Sequence, residues 1–162
     1  QEDLDLILRP MAEDGKEEEV VTRLSRVGYD NTLGYLEGGI EAWKKFGFEV
    51  DHIKEIDANA LPELTSEKKI NILDVRKESE FESQHLKDAV NFPLDFINRN
   101  MQNLDKNETY FLHCQGGYRS MITSSILKSR GYENLVNIQG GFDAIKETSM
   151  PMTEYHEPET ML

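Results

Sequence analysis

The chain repeats itself at a spacing of about a hundred residues, which is the length of a domain and not of a solenoid unit. The stretch Arg23-Leu24-Ser25-Arg26-Val27-Gly28-Tyr29-Asp30-Asn31, followed by Leu36-Glu37-Gly38-Gly39-Ile40-Glu41-Ala42-Trp43, has a counterpart downstream. That counterpart is Leu127-Lys128-Ser129-Arg130-Gly131-Tyr132-Glu133-Asn134, followed by Ile138-Gln139-Gly140-Gly141-Phe142-Asp143-Ala144-Ile145. The Gly-Gly pairs lie one residue closer together than the Gly-Tyr pairs, so one residue was gained or lost between them. Only the second copy has a full domain's length of chain before its Gly-Gly pair. With 162 residues, 38% of them hydrophobic, the chain fits one whole domain plus a piece of another.

The second copy reads from about residue 52 to 148 as strands alternating with helices. Ile70-Asn71-Ile72-Leu73-Asp74-Val75 is a short branched run expected to be a buried strand. A short helix is expected over 78–84, and a strand at Ala89-Val90-Asn91-Phe92, stopped by Pro93. Helix follows over 94–101, then a strand at Thr109-Tyr110-Phe111-Leu112-His113. Gly116-Gly117 break that strand. Ser120 to Ser129 carries Met121, Ile122, Ile126 and Leu127 at helical spacing, and Gly131 supplies a left-handed helix stop. Leu135-Val136-Asn137 is another strand, and Gly140-Gly141 lead into a last helix through about Glu147. Such alternation implies an α/β fold, a doubly wound parallel sheet flanked by helices.

The first copy, residues 1–50, matches only the C-terminal half of this pattern. Leu4-Asp5-Leu6-Ile7-Leu8 stands for the strand at 109–113, Lys16 to Val27 for the helix after it, and Ile40 to Phe46 for the last helix. The chain starts at Gln1 and not at Met, so it is expected to be a fragment of a longer protein. Half a sheet exposes strand edges, so residues 1–50 are expected to dock on the second copy or on another chain. Residues 149–162 hold Pro151, Pro158 and several acids and read as an irregular or mobile tail.

Charge and cysteine content narrow the function. Asp plus Glu is 31 and Lys plus Arg is 18, a formal charge of −13, which disfavours nonspecific grip on nucleic acid or anionic lipid. Neither nucleic acid nor a membrane is an expected partner. No apolar run approaches the roughly 20 residues that cross a bilayer, and a cytoplasmic location is expected. Cys114 is the only cysteine. It can form no intrachain disulfide and no CxxC zinc site. His52, His85 and His156 show no metal-ligand spacing, so no metal is expected.

The informative motif is His113-Cys114-Gln115-Gly116-Gly117-Tyr118-Arg119-Ser120, between an expected strand and an expected helix. Two glycines let successive N–H groups turn inward. The helix start adds the positive end of its dipole, and Arg119 adds a full charge. Such a cradle favours thiolate, the nucleophilic form, over thiol. A lone cysteine is otherwise most often a buried structural thiol, and the loop sets Cys114 apart from that case. Thr109 to Tyr132 also contains no acid but holds Arg119, Lys128 and Arg130, a patch suited to an anionic substrate. A buried strand and helix are acid-poor in any case, so that feature weighs less. Asp74 and Arg76 leave a strand end, where α/β folds place their ligand crevice. They either brace the loop or help bind a ligand, and Asp74 fits a structural ion pair. His113 reads as a strand residue, and Tyr118 as part of the pocket mouth.

These residues resemble a rhodanese-like sulfurtransferase domain. The resemblance covers about 52–148 and rests on Leu73-Asp74-Val75-Arg76, Glu80-Phe81, His85-Leu86, Ala89-Val90-Asn91-Phe92-Pro93, the Cys114–Ser120 loop, Gly131-Tyr132 and Gly140-Gly141-Phe142. Gln84 and Asp88 stand where glycine is usual in that family, and Lys87 where proline is usual. The resemblance implies that Cys114 takes the outer sulfur of thiosulfate or a low-molecular-weight persulfide, becomes a persulfide and passes the sulfur to a thiol acceptor. It implies that amides from Gln115 through Gly116, Gly117 and Tyr118 to Ser120 hold the sulfur, that Arg119 orients loop and donor, and that Arg76 helps bind. No cofactor is implied. Four residues separate Cys114 from Arg119, whereas similar phosphatases and arsenate reductases enclose five, so the resemblance favours sulfur over an oxyanion.

Opposite Cys114 and Arg119 the first copy has Met11 and Lys16, with Glu13, Asp14, Glu17, Glu18 and Glu19 around them, so it reads as catalytically silent. The segment 15–24 with Gly34-Tyr35-Leu36-Glu37-Gly38-Gly39 resembles the rhodanese part of bacterial fusions led by a metallo-β-lactamase-like domain. That resemblance implies an upstream domain as a partner. It leaves open a non-catalytic binding or regulatory module of a larger persulfide-processing enzyme.

Overall fold

Short branched and aromatic runs separated by helices pair most readily side by side in parallel, because each crossover helix returns the chain to the same end of the sheet. The computed structural model describes residues 15–25 and 32–157, the side chains of Arg23 and Leu24 excepted. The strand expected at Leu4–Leu8, the loop around Met11, Glu13 and Asp14, the Gly28-Tyr29 pair and the last five residues of the tail lie outside them. The chain divides into two units, residues 1–51 and 52–162.

In the first unit, helix α1 (Glu17–Ser25) opens with Glu17, Glu18 and Glu19, acids that complement the positive end of its dipole. Helix α2 (Gly39–Lys45) starts from Gly38, which is left-handed at φ 73°. Trp43 packs on Phe48 at 4.5 Å between ring centres, and its Nε1 donates to the Glu49 carbonyl at 2.8 Å.

In the second unit, strands β1 (Lys54–Asp57), β2 (Asn71–Asp74), β3 (Ala89–Asn91), β4 (Tyr110–His113) and β5 (Leu135–Gln139) form one sheet. All of its pairings are parallel, in the order β1-β5-β4-β2-β3. Helices α3 (Leu61–Glu67), α4 (Glu78–Ser83), α5 (Ile97–Asn100), α6 (Tyr118–Ser129) and α7 (Gly141–Lys146) accompany it. Period-two alternation sorts the strand side chains onto two faces. Leu73, Tyr110, Leu112 and Leu135 join Ile97 and Leu127 in one core, while Ile72, Phe111, Val136 and Ile138 join Leu61 and Ile145 in the other. This is the doubly wound α/β architecture expected.

Several local expectations are corrected. The helix expected over 94–101 is broken into α5 between two 3-10 turns, Leu94–Phe96 and Met101–Asn103. Asn100 and Asn103 are weak helix formers whose side chains compete with the backbone. α6 starts at Tyr118, two residues early, because Gly117 at φ 105° already caps it. β1 was not visible as a strand, since only Ile56 within it is even half-buried. It is a sheet edge, and its charged residues are the kind that discourage pairing with other chains. Asp88, where glycine is usual, adopts φ 68°, so the backbone there keeps the left-handed turn that glycine would make easily.

The C-terminal segment is irregular but held. Met152 bridges Leu86 in antiparallel fashion. Thr153 N–H donates to the His85 carbonyl at 2.9 Å, and His156 N–H to that of Ser83 at 2.7 Å. Ser83 Oγ donates back to the His156 carbonyl at 2.7 Å, and Met150 and Met152 pack on the core. The strap therefore pins the turn after α4. Truncation after Ser149 is expected to cost about 2–4 kcal/mol of stability, through lost apolar burial and hydrogen bonds, read as a lower midpoint in urea unfolding.

Candidate active site

The strand order reverses direction between β2 and β4. The chain leaves β2 for β3 on one side and β4 for β5 on the other, and such a switch point opens a crevice at the carboxyl ends of the strands. Asp74 and His113 lie side by side there in register. Cys114 is the next residue after His113, so topology delivers its sulfur to the crevice.

The nest around that sulfur is made by turning one run of peptides. The Cys114 carbonyl accepts from Phe142 N–H at 2.7 Å, and the Gln115 carbonyl from Asp143 N–H at 3.1 Å. Both donors belong to the first turn of α7, so the loop carbonyls point toward that helix. The amides that follow face the other way. Gly117 N–H donates to Cys114 Sγ at 3.1 Å, and Ser120 Oγ stands 3.7 Å from the same sulfur. Burial raises the Cys114 pKa, but the amide and hydroxyl of Ser120 and the amides of Gly117 and Gly116 together outweigh it. The thiol is held below its ordinary value, although the residue is only 2% exposed. Gly141, at φ 58°, makes this approach possible, because a Cβ there would stand 2.5 Å from the Cys114 carbonyl oxygen.

A buried ion pair braces the loop from beneath. Arg76 Nε and Nη2 donate to the Asp74 carboxylate at 2.6–3.0 Å. Nη2 also donates to the Gln84 carbonyl at 2.8 Å, and Nη1 to Gln115 Oε1 at 3.2 Å. The guanidinium lies 3.9 Å over the Phe142 ring. Its nitrogens are engaged and the residue is 3% exposed, so the guanidinium braces the loop. Gln115 is likewise tied down, since its Nε2 donates to Asp143.

Arg119 sits in the first turn of α6, and Cys114 is among the charges that raise its pKa, after the larger effect of Glu80. It forms a two-pronged pair with Glu80, at 2.6 and 2.8 Å. That bond holds the Glu80 carboxyl below its usual range against an opposing pull from burial. The sequence alone does not mark Glu80 as a site residue, although Glu80-Phe81 is part of the resemblance. Its available signal was its position at N3 of α4, where it also accepts the Lys77 N–H. The acid-free stretch was misleading for the same reason, because Glu80 and Asp143 bring acids to the loop from other segments. Lys128 and Arg130 lie at the opposite end of α6, about 15 Å along its axis.

Tyr118 projects from the start of α6, 80% exposed. His113 is fully buried, with Nδ1 3.3 Å from the Cys114 carbonyl and Nε2 without a hydrogen-bond partner. Burial lowers its pKa against the opposing effect of Asp74, which keeps the ring neutral at pH 7. Among the described residues, no group of three His, Cys, Asp or Glu side chains is placed to hold a metal ion. No helix among them is long and apolar enough to cross a membrane.

The model of the rhodanese-like domain matches residues 57–148. The chain belongs to the rhodanese family. Relatives named as sulfurtransferases match at 24–32% identity. Among them is the thiosulfate sulfurtransferase GlpE of Vibrio cholerae, 24% identical over 64% of this chain and 97% of its own. The protein slr1261 of Synechocystis is 30% identical over 59% of this chain and 54% of its own, so the chain spans about half the length of that relative. The crystal structure of a rhodanese-like domain protein from Staphylococcus aureus superposes with a TM-score of 0.57 at 30% identity, over 63% of this chain and all of that one.

The alkylation rate of Cys114 against pH is expected to have its midpoint below the free-thiol value of about 8.5. Ser120→Ala is expected to raise it, because the hydroxyl beside the sulfur is lost. Gly141→Ala forces a side chain into a left-handed backbone and against the Cys114 carbonyl. It is expected to lower stability by about 2 kcal/mol or more in urea unfolding, with the alkylation midpoint moving up.

Proposed function

We propose that this domain moves a sulfane sulfur from a small donor, thiosulfate or a low-molecular-weight persulfide, to a thiol acceptor through a persulfide on Cys114. The observation that carries this reading is the convergence of Gly116, Gly117 and Ser120 on Cys114 Sγ. In the first step the thiolate attacks the outer sulfur of the donor. A new S–S bond forms at Cys114, and the bond to the rest of the donor breaks, that part leaving with the electron pair. In the second step an acceptor thiolate attacks the outer sulfur of the Cys114 persulfide, and Cys114 leaves as thiolate. The same amides stabilise sulfur anion in both steps, so little reorganisation is needed as charge moves between the two sulfur atoms.

The nest is short, with one turn of peptide around one sulfur, and it supports sulfur over a tetrahedral oxyanion. A single reactive thiolate suits a reducing compartment such as the cytoplasm. The likeness of residues 15–24 and 34–39 to metallo-β-lactamase fusions supports a place for the domain within a larger persulfide-processing protein, with an upstream domain as its partner. In the test, the chain is incubated with thiosulfate or an alkyl persulfide, and its intact mass is measured. The expected gain is one sulfur atom, located on Cys114, reversed by added thiol and absent in Cys114→Ser. An unmodified mass with every donor would overturn the proposal.

A further inference from the structure

The charges around the loop are matched in pairs. Arg76 is bound to Asp74, Arg119 to Glu80 and Lys146 to Asp143, at 2.6, 2.6 and 3.5 Å. Asp143 and Arg76 both touch Gln115, and Arg119 belongs to the loop itself. The nest amides and the α6 N-terminus supply positive polarity worth about half a charge. That polarity is already used by the Cys114 thiolate. A donor that brings two more negative charges would therefore meet a thiolate beside cations that are each already paired with an acid, in a chain of formal charge −13.

Resting on the sulfurtransfer reading above, we infer that Glu80 is a specificity-determining residue. By neutralising Arg119 it favours alkyl persulfides, which carry at most one negative charge, over the thiosulfate dianion. Glu80 is suited to this because its carboxylate engages both terminal nitrogens of Arg119. The guanidinium is thereby left with few free donors for a sulfonate group. Glu80 stands on α4, fixed there by its bond to Lys77 N–H, and the turn after that helix is pinned by the C-terminal strap. The acid is thus a fixed part of the rim.

In the favoured step, Cys114 thiolate attacks the outer sulfur of RS–SH. The Cys114 S–S bond forms as the RS–S bond breaks, RS− departs with the electron pair, and the proton stays on the transferred sulfur. With thiosulfate the leaving group is sulfite, and three negative charges must be brought together before any bond breaks.

The test measures the rate of Cys114 sulfur loading by intact mass, with thiosulfate and with 2-hydroxyethyl persulfide, whose only ionisable group is the persulfide itself. The full chain and its Glu80→Gln and Glu80→Asp variants are compared. The expected result is faster loading from the persulfide in the unsubstituted chain. Glu80→Gln should shift the ratio of the two rates at least threefold toward thiosulfate, and Glu80→Asp should leave it nearly unchanged. Equal slowing of both donors in Glu80→Gln would reduce Glu80 to a purely structural role and overturn the inference. Faster loading from thiosulfate in the unsubstituted chain would overturn it too while leaving sulfurtransfer intact. Loading from neither donor would instead remove the sulfurtransfer reading, and this inference with it. Where Glu80→Gln does not fold, salt decides. Raising ionic strength roughly tenfold should speed thiosulfate loading at least twofold by screening the repulsion, and slower loading at high salt would overturn the inference.

Discussion

The site depends on which way two peptide groups face. With the carbonyls of Cys114 and Gln115 committed to the first amides of α7, the following amides have one direction left, toward the sulfur. The reverse orientation would aim carbonyl oxygens at Cys114 and raise its pKa. The direction of the amides around the cysteine is therefore set by α7, through the carbonyls it binds. That helix can approach only because Gly141, at φ 58°, presents no side chain to the loop. Even the strand order serves this contact, since placing β5 beside β4 brings the start of α7 alongside the Cys114 loop.

The second constraint is the buried pair of Asp74 and Arg76. Burying a charged pair stabilises little by itself, because desolvation offsets most of the attraction. Here the pair joins three segments. Asp74 ends β2, Arg76 reaches the turn after α4 at Gln84, and its remaining nitrogen reaches the loop at Gln115. The Phe142 ring under the guanidinium adds α7. Losing either partner would leave an uncompensated charge among all of these, so the pair serves geometry more than overall stability. The same logic extends outward. The strap at 150–157 fixes the turn after α4, α4 carries Glu80, and Glu80 holds Arg119 beside the sulfur.

What could be read in the sequence, and what could not, follows from the range of each interaction. The strand, the glycine turn, Cys114 and the helix after it are consecutive, and their order alone encodes the nest. The Glu80–Arg119 pair spans 39 residues, and no local pattern announces it. The acid-free stretch from Thr109 to Tyr132 looked like a positive patch because sequence windows do not register acids arriving from elsewhere. β1 was hidden by its own position. An exposed edge strand of Lys54, Glu55, Ile56 and Asp57 has no apolar run to recognise, and its register comes from pairing with β5. Gly140 and Gly141 could be read as a turn and a helix start, but their closeness to Cys114 required the fold.

The internal repeat gives that turn a wider meaning. Gly38 and Gly39 in the first unit have φ values of 73° and 53°, against 72° and 58° for Gly140 and Gly141. In each copy the first glycine faces an alanine four residues on, Ala42 or Ala144, whose Cβ would stand 3.1 or 2.6 Å from an added methyl group. The two turns thus share a backbone conformation and a steric reason for glycine, although only the second copy has a cysteine in its sequence at the matching loop. The requirement for glycine lies in how the chain enters the helix, and the chemistry lies in the loop that the helix meets. A copy can therefore lose its nucleophile without disturbing the turn, whereas a copy that lost the turn would turn the nest amides away from any sulfur placed there.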